Sequence, residues 1–229
     1  MWMKKLVEQA LHPHEPGTGQ VDPEPEKNDE YRPAIYAIGC GEAGCKAIQE
    51  IHEKMIPGII TVAVDTDREH LSTIIAHHNV PIGDPYIVGH GAGGFPPIGK
   101  KAAEESSSEI SARIISPDYV FIITGLGGGT GTGAAPVIAQ IARDRGALVI
   151  VFCFRPFRVE KAQERIAEEG EKHLLSTADS VILLDNNTLF CYLPGLQRDQ
   201  AFTVMNELVA ETITSLVELF KSPSLDGRS

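Results

Sequence analysis

The sequence predicts an α/β fold of three layers, in which a parallel sheet is covered by helices on both faces. Three observations lead to this prediction. Apolar runs alternate with stretches of helical periodicity, glycine-rich turns follow several of the runs, and a long amphipathic stretch ends the pattern. Strands that are continuously apolar are typical of a parallel sheet buried between two layers of helices.

Five apolar runs are predicted as buried strands, at residues 34–38, 59–64, 119–124, 147–153 and 181–184. Helical spacing of apolar residues lies between them, at residues 44–55, 67–77, 99–115, 132–145 and 160–175. A longer helix is predicted at about 199–220, because its apolar residues recur every three or four positions and form one buried face.

The charge and cysteine content exclude some classes of function. The 229 residues include 31 acidic and 20 basic side chains, for a formal net charge of −11. This charge argues against nucleic acid as a partner, because binding to a phosphate backbone depends on a basic surface. The four cysteines form no CxxC pair, which disfavours a zinc site and indicates reduced thiols. We find no membrane-spanning run and no secretory signal, and we expect a cytoplasmic protein.

Residues 1–33 are predicted to form an acidic, proline-rich N-terminal extension, in which residues 12–32 are a mobile linker. Before the linker, a few apolar residues line one face of a possible short helix: Met3, Leu6, Val7, Ala10 and Leu11. That helix would either dock on a partner or membrane surface, or be a frayed end or lie on the domain. The second interpretation is favoured.

The turn Gly39-Cys40-Gly41-Glu42-Ala43-Gly44 joins the first predicted strand to a helix. Its GxGxxG spacing allows the backbone to approach a phosphate closely, and the following helix N-terminus supplies donors. The next strand ends in Asp65, about 20 residues on, where a dinucleotide-binding fold places its ribose-binding acid. These residues alone favour a nicotinamide- or flavin-dependent enzyme.

A second glycine-rich turn changes this interpretation. Residues 125–133 contain six glycines and two threonines between a predicted strand and a helix. Backbone amides and hydroxyls in this arrangement suit an oligophosphate. A third glycine-rich turn lies at residues 89–94, and no GxxxxGK[ST] motif is present. Three such turns on one edge of the sheet predict a site for the phosphates of a nucleotide.

The run GGGTGTG at residues 127–133 resembles the signature of the tubulin/FtsZ GTPase family. The similarity extends over about residues 34–225, through IGCGEAG, AVDTD, GHGAGG, GLGGGTGTGAAPVIAQIA and RPFRVEKA, and the last of these is more similar to archaeal than to bacterial FtsZ. The resemblance implies a Rossmann-like GTPase domain that ends in a long central helix. It also implies GTP or GDP with Mg²⁺ as ligands, head-to-tail partners that are copies or paralogues, and a place at the division site.

The resemblance implies roles for individual residues. The phosphates would be bound by Gly39, Cys40, Gly41, Glu42, Ala92, Gly93, Gly94, Gly127, Gly128, Gly129, Thr130, Gly131, Thr132 and Gly133. The ribose and base would be bound by Lys46, Glu160, Arg165, Asn186, Phe202 and Asn206. Within that set, Glu160 binds the ribose, Phe202 stacks on the base, and the two asparagines recognise guanine. Asp67 would lie near Mg²⁺ and bind it through water, and no catalytic residue would come from this chain.

Several residues depart from the family pattern. Lys46 and Phe95 stand where FtsZ has asparagine, and Asp65 also replaces an asparagine. Gln163 or Arg165 stands where the family has an arginine after its ribose-binding glutamate. Two interpretations remain open, namely a divergent paralogue with altered affinity or turnover, and local compensation at an ordinary GTP site.

In FtsZ the central helix leads to a GxxNxD loop, which completes the active site of the next subunit, and then to a second domain. Residues 222–229 contain neither, so we expect a GTP-binding domain at residues 34–221, a short tail and no second domain. The sequence does not distinguish a piece of a longer protein from a naturally short one.

Three functions are therefore considered. The first is the GTP-binding half of a polymerising, FtsZ-like cell-division GTPase that has little turnover by itself. The second is a GTP-binding regulator of FtsZ that does not polymerise. The third is a dinucleotide-dependent oxidoreductase, which only the GxGxxG spacing and Asp65 support.

Overall fold

The computed structural model describes residues 32–84, 91–193 and 195–221, and the predicted α/β fold class is confirmed. One sheet in the described part of the chain has six strands in the order β3-β2-β1-β4-β5-β6, all parallel. Its strands are β1 (Ile35–Cys40), β2 (Ile59–Asp65), β3 (His78–Pro81), β4 (Tyr119–Gly125), β5 (Leu148–Arg155) and β6 (Ser180–Asp185).

The helices connect successive strands or follow the last one. They are α1 (Gly41–Glu53), α2 (Arg68–Ser72), α3 (Pro96–Glu105), α4 (Ser107–Arg113), α5 (Gly129–Asp144), α6 (Lys161–Thr177), α7 (Asn186–Tyr192) and α8 (Arg198–Lys221). Among the described residues, no helix combines the length and the apolar character that crossing a membrane requires. The predicted N-terminal helix, residues 12–31 of the predicted linker, Gly89, His90 and the tail at 222–229 lie outside the described residues.

The predicted helix at 67–77 forms only as the short α2, and the sequence did not predict β3. Asn79 Nδ2 donates to the carbonyl oxygens of Leu71 and Ile74, at 3.1 and 2.8 Å. These bonds satisfy carbonyls that a longer helix would have used, so the chain can turn back beside β2. Strand β3 contains little apolar sequence, and its register against β2 comes from pairing.

Alternate residues of the central strands face two separate hydrophobic cores. On one face, Ile38 and Cys40 pack among the helices α3, α5 and α6. On the other face, Ile35 and Ala37 pack against α1, α7 and α8. Because both faces are covered, the strands are apolar throughout, as predicted.

Helix α8 is anchored along most of its length. Its buried residues include Val204, Val209, Ile213 and Val217, and near its end Phe220 stacks on Tyr119 of β4 with ring centroids 4.0 Å apart. Lys54, just after α1, donates to Glu207 and Glu211 of α8 at 2.8 and 3.2 Å. This packing fixes the N-terminal half of α8 beside the carboxyl ends of β4, β5 and β6.

The strand order reverses between β1 and β4, because α1 leads outward to β2 whereas β4 is followed by β5 on the opposite side. A crevice opens at such a point, outside the carboxyl ends of the strands, and ligands of open α/β sheets bind there. The first two glycine-rich turns lie on either side of this crevice, since one follows β1 and the other follows β4.

Replacing Ile213 by alanine tests how strongly α8 is anchored. Ile213 is fully buried, so Ile213→Ala should lower the free energy of unfolding by about 2–5 kcal/mol through lost apolar contact and a residual cavity. Leu219 of the same helix is 65% exposed, and Leu219→Ala should change the free energy of unfolding by no more than about 0.5 kcal/mol. Denaturant unfolding of the variants measures both values, and equal losses would contradict the packing described for α8.

Candidate functional site

A cavity of about 1080 Å³ opens at the carboxyl edge of the sheet, in the size range of cofactor sites. Its walls come from the β1–α1 turn, the start of α2, the β4–α5 turn, the segment after β5, the start of α7 and the N-terminal half of α8, together with Gly91, Ala92 and Gly94. The described part of the third glycine-rich turn thus joins the other two at the crevice, as the sequence predicted.

Two helices begin at this cavity with backbone N–H groups that no capping side chain uses. Helix α1 has 13 residues and follows Cys40, whereas α5 has 16 residues and follows Gly128. Cys40 makes no side-chain capping bond, and Gly128 has no side chain that could make one. The free N–H groups and the helix dipoles make each start favourable for an anion. An oligophosphate at this end could accept from both helices.

The two helix starts touch each other backbone to backbone. Gly41 has a φ of +71°, and a Cβ at that position would lie 2.9 Å from the backbone nitrogen of Gly131. A Cβ at Gly129 would lie 2.8 Å from Cβ of Ala92. Glycine is therefore required at both positions, because a side chain at either one would push the turns apart.

The two threonines of the second turn hold the loop itself. Thr130 Oγ1 lies 2.6 Å from Thr66 Oγ1, and Thr132 Oγ1 accepts a bond of 2.9 Å from the Gly127 nitrogen. Thr130 lines the cavity, but Thr132 does not. Four residues predicted to bind the phosphates are not among those that line the cavity, and their phosphate contacts stay predictions: Gly39, Gly93, Thr132 and Gly133.

An aspartate–histidine pair lies at the phosphate end. Asp65 is buried, and its Oδ2 lies 3.0 Å from Nδ1 of His70. Burial raises the pKa of Asp65, although hydrogen bonds from the Asp67 backbone and from His70 oppose that shift. His70 lines the cavity, and its Nε2 is buried with no partner among the residues that the structure describes. The sequence analysis missed His70, and the signal that could have found it is the Asp65 carboxylate five residues earlier.

Asp67 lies beside this pair and lines the cavity, as predicted. Its Oδ1 caps α2 by accepting a bond of 3.0 Å from the His70 nitrogen, which leaves Oδ2 for other partners. Among residues 32–84, 91–193 and 195–221, no group of three histidine, cysteine or acidic side chains could by itself hold a metal ion. A cation at Asp67 would therefore need oxygen ligands from a bound molecule or water.

The other end of the cavity brings together three predicted residues. Asn186 is the first residue of α7, and its Oδ1 is buried without a partner in the described part of the chain. Asn206 and Phe202 lie one turn apart on α8 and face the same cavity. The ring of Phe202 meets Phe157 edge to face, with centroids 5.4 Å apart. These side chains form a partly apolar slot with amides at its edges, which suits a flat heterocyclic ring.

Glu50 of α1 also lines this end, and the sequence analysis missed it. Its Oε1 accepts a bond of 2.9 Å from Asn206 Nδ2. Burial raises the pKa of Glu50 to about 6, and the negative charges of Glu207 and Glu53 act in the same direction, whereas the Asn206 bond opposes the shift. A glutamate in a helix rich in polar residues gives no sequence signal that it faces a cavity.

Glu160 lines the cavity as predicted, but its arginine partner comes from a different element. Glu160 Oε1 accepts a bond of 2.5 Å from Arg198 Nη2, and the Arg198 guanidinium lies 4.7 Å from the centroid of the Phe157 ring. Of the two residues that could replace the family's arginine, Gln163 lines the cavity, whereas Arg165 is exposed and outside the cavity wall. Two residues along a helix turn the side chain to a nearly opposite face.

Lys46 and Glu42 stand together at the edge of the cavity. Lys46 Nζ lies 2.6 Å from Glu42 Oε1, one turn earlier on α1, and both side chains are mostly exposed. The hydrogen bond and charge of Lys46 lower the pKa of Glu42, which burial alone would raise. Such an exposed pair contributes little to stability. Both predicted residues line the cavity, and the charge of Lys46 is already partly balanced.

Comparison with known proteins agrees with this geometry. A sequence model of the Tubulin/FtsZ family, GTPase domain, matches residues 34–194. The cell division protein FtsZ 2 of Halobacterium salinarum is 39% identical over 223 residues, which are 97% of this chain and 57% of that protein.

Two solved structures have similar folds. An empty FtsZ dimer from Methanocaldococcus jannaschii has a TM-score of 0.80 and 38% identity, and the match covers 88% of this chain and 59% of that one. A GTPγS-bound protofilament of CetZ2 from Haloferax volcanii has a TM-score of 0.74 and 26% identity, with coverage of 84% and 60%. The chain thus spans less than two thirds of the length of these relatives.

The raised pKa of Glu50 predicts a pH-dependent stability difference. The folded protein binds this proton more tightly than the unfolded chain, so stability falls as the pH rises from 4.5 to about 6. Glu50→Gln removes the charge and should be more stable than the parent at pH 7.5 by up to about 2 kcal/mol. The difference should vanish near pH 4.5.

Denaturant unfolding at both pH values measures this difference. Glu53→Gln is the matched control, because Glu53 is an exposed glutamate one turn further along the same helix. A Glu50→Gln variant that is no more stable than the parent at either pH would contradict the burial of this charge.

Proposed function

The chain belongs to the Tubulin/FtsZ family, and from this premise we propose that its cavity binds GTP and GDP as the nucleotide-binding part of an FtsZ-like cell-division GTPase. One observation carries the proposal. The uncapped starts of α1 and α5 converge, through touching glycine backbones, on one cavity at the point where the strand order reverses. Residues 34–221 would form the GTP-binding domain.

Backbone amides would hold the phosphates. The described glycine-rich turns offer N–H groups rather than lysine or arginine side chains, so a polyanion can bind to a chain whose net charge is −11. The turn at residues 91–94 would close on the terminal phosphate, since Ala92 packs against Gly129 at the start of α5. With His70 Nδ1 donating to the Asp65 carboxylate, Nε2 of the neutral ring would accept a hydrogen bond from water around the phosphates.

Asp67 fits the Mg²⁺ ion that the family implies. Mg²⁺ in nucleotide sites is bound by one or two carboxylates together with phosphate oxygens and water. Asp67 supplies one carboxylate oxygen that α2 does not use. When bound, the ion would neutralise part of the phosphate charge.

The base would lie in the slot between Phe202 and the two asparagines. Asn186 Oδ1 lacks a partner in the described structure, and the N–H groups of guanine would supply one. A site that hydrogen-bonds a base in this way rejects a base that leaves its polar atoms unpaired.

The oxidoreductase and regulator hypotheses are not favoured by the comparisons, because the matching family model is that of a GTPase domain.

Assembly is proposed from the relatives. The similar structures include a dimer of one protein and a protofilament of another. We propose that this chain also associates head to tail with its own copies or with paralogues, in the cytoplasm at the division site. The phosphate end of the cavity would then face the neighbouring subunit.

Guanine preference is the direct test of this function. The parent should bind GTP more tightly than ATP, and Asn186→Ala should weaken GTP binding by about 1–3 kcal/mol because a buried acceptor is lost. Calorimetric titration measures both affinities, and Gln140→Ala, at an exposed position of α5, is the control. Equal affinity of the parent for GTP and ATP would refute the assignment.

His70 should matter for the phosphates and not for the base. His70→Ala should raise the dissociation constant of GTP roughly fivefold, the equivalent of one hydrogen bond of about 1 kcal/mol through water, and leave that of GMP unchanged. Glu69→Ala, at the exposed neighbouring position, should change neither value. An equal effect on GMP would show that His70 acts through the fold.

A polypeptide of residues 1–229 should bind GTP but release phosphate slowly. The resemblance implies that the carboxylates that activate water belong to a neighbouring subunit's loop. Without those carboxylates to position the attacking water, the rate of GTP hydrolysis should fall by several orders of magnitude, which corresponds to about 4–7 kcal/mol of barrier. Phosphate release should be measured alone and with a full-length FtsZ relative. Rapid GTP hydrolysis by the isolated chain would contradict the need for a neighbouring subunit and would favour His70 as the general base that activates water.

A further inference from the structure

The two asparagines at the base end of the cavity each have their amide nitrogen engaged by the protein. Asn186 Nδ2 donates to the carbonyl oxygen of Arg155 at 3.4 Å. Asn206 Nδ2 donates to Glu50 Oε1 at 2.9 Å. Because a carbonyl and a carboxylate only accept, both amides turn their nitrogen toward the protein and leave Oδ1 for a ligand.

The two amides are held by different means. The partner of Asn186 is a backbone oxygen of β5, whose position depends on the sheet. The partner of Asn206 is a side chain from another helix, 156 residues away in sequence. Without an obligate acceptor there, the Asn206 amide could turn over and present its nitrogen instead. The orientation of Asn206 thus depends on Glu50 remaining an acceptor.

Guanine and adenine differ at the edge that such atoms would meet. Guanine presents two adjacent donors, N1–H and the N2 amino group, whereas adenine presents N1 as an acceptor beside its N6 amino group. Two amide oxygens complement guanine, and one of them would face the N1 lone pair of adenine. A turned Asn206 amide would remove that repulsion, since its nitrogen can donate to adenine N1.

We propose that Glu50 is a specificity-determining positioning residue, which holds Asn206 Nδ2 so that Asn206 Oδ1 faces the base and selects guanine over adenine. This inference rests on the proposed function, because it assigns the means by which the same site chooses its base. Glu50 is ionised at neutral pH, since its pKa is about 6. The other charged groups around it are Glu53, Lys54 and Glu207, and a role confined to that charge cluster would alter stability without altering base preference.

The experiment measures dissociation constants of GTP and ATP for the full chain and for Glu50→Gln. A glutamine can donate as well as accept, so the Asn206 amide becomes free to turn, and the ratio of ATP to GTP dissociation constants should fall about tenfold. Glu53→Gln is the matched control. Glu53 accepts from Gln49 at 3.0 Å on the exposed side of the same helix, and its loss should leave the ratio unchanged.

Two further variants separate orientation from folding. Glu50→Met removes the acceptor with an apolar side chain of similar length, and it should lower the ratio as Glu50→Gln does. The double variant E50Q/N206D should restore guanine preference, because the introduced carboxylate accepts in either orientation while the introduced glutamine donates to it. A structural role for Glu50 would not predict this rescue.

The outcomes distinguish the inference from the proposed function. If the parent prefers GTP but folded Glu50→Gln or Glu50→Met keeps the same ratio, the role of Glu50 is overturned and the guanine site stands. Failure of E50Q/N206D to regain the preference would also overturn it. If the parent binds ATP as well as GTP, both the inference and the proposed function fail.

Discussion

The backbone contact between the starts of α1 and α5 is the constraint on which the cavity depends. Gly41 and Gly131 are in contact because neither has a side chain, and this contact brings two helix N-termini to the same space. The touching turns follow neighbouring strands, β1 and β4, whose pairing sets the distance between them. The phosphate end is therefore a product of strand pairing and of glycine, and it requires no basic side chain.

The base end is built differently, from side chains on α7 and α8, which pack against the same face of the sheet as α1. Its geometry depends on α8, which carries Phe202 and Asn206 and is fixed by its buried face and by Phe220 on Tyr119. Backbone thus forms the part of the site that meets an anion of invariant shape. Side chains form the part that must distinguish one ring from another, where single hydrogen bonds determine the preference.

Two departures from the family pattern have partners within the structure. Asp65 pairs with His70, and the place of the family's arginine after Glu160, where Gln163 or Arg165 stands, is taken by Arg198 of α8, which pairs with Glu160. Both arrangements agree with local compensation, the second interpretation that the sequence left open. Neither partner is predictable from the sequence alone, because a pair joined through space leaves no periodic or motif signal in one sequence.

The sequence by itself determined the layered fold, the glycine turns and most of the residues around the cavity, because apolar periodicity and glycine spacing are local properties. It did not predict β3, which depends on pairing with β2, or α7, whose seven residues are too few for a periodic signal and which begins at the Asp185 cap. Only the tertiary structure showed that Thr132 and Arg165 lie outside the cavity wall and that Glu50, His70 and Arg198 contact predicted residues. These facts depend on which helix faces which, and that is decided by packing between elements far apart in the chain.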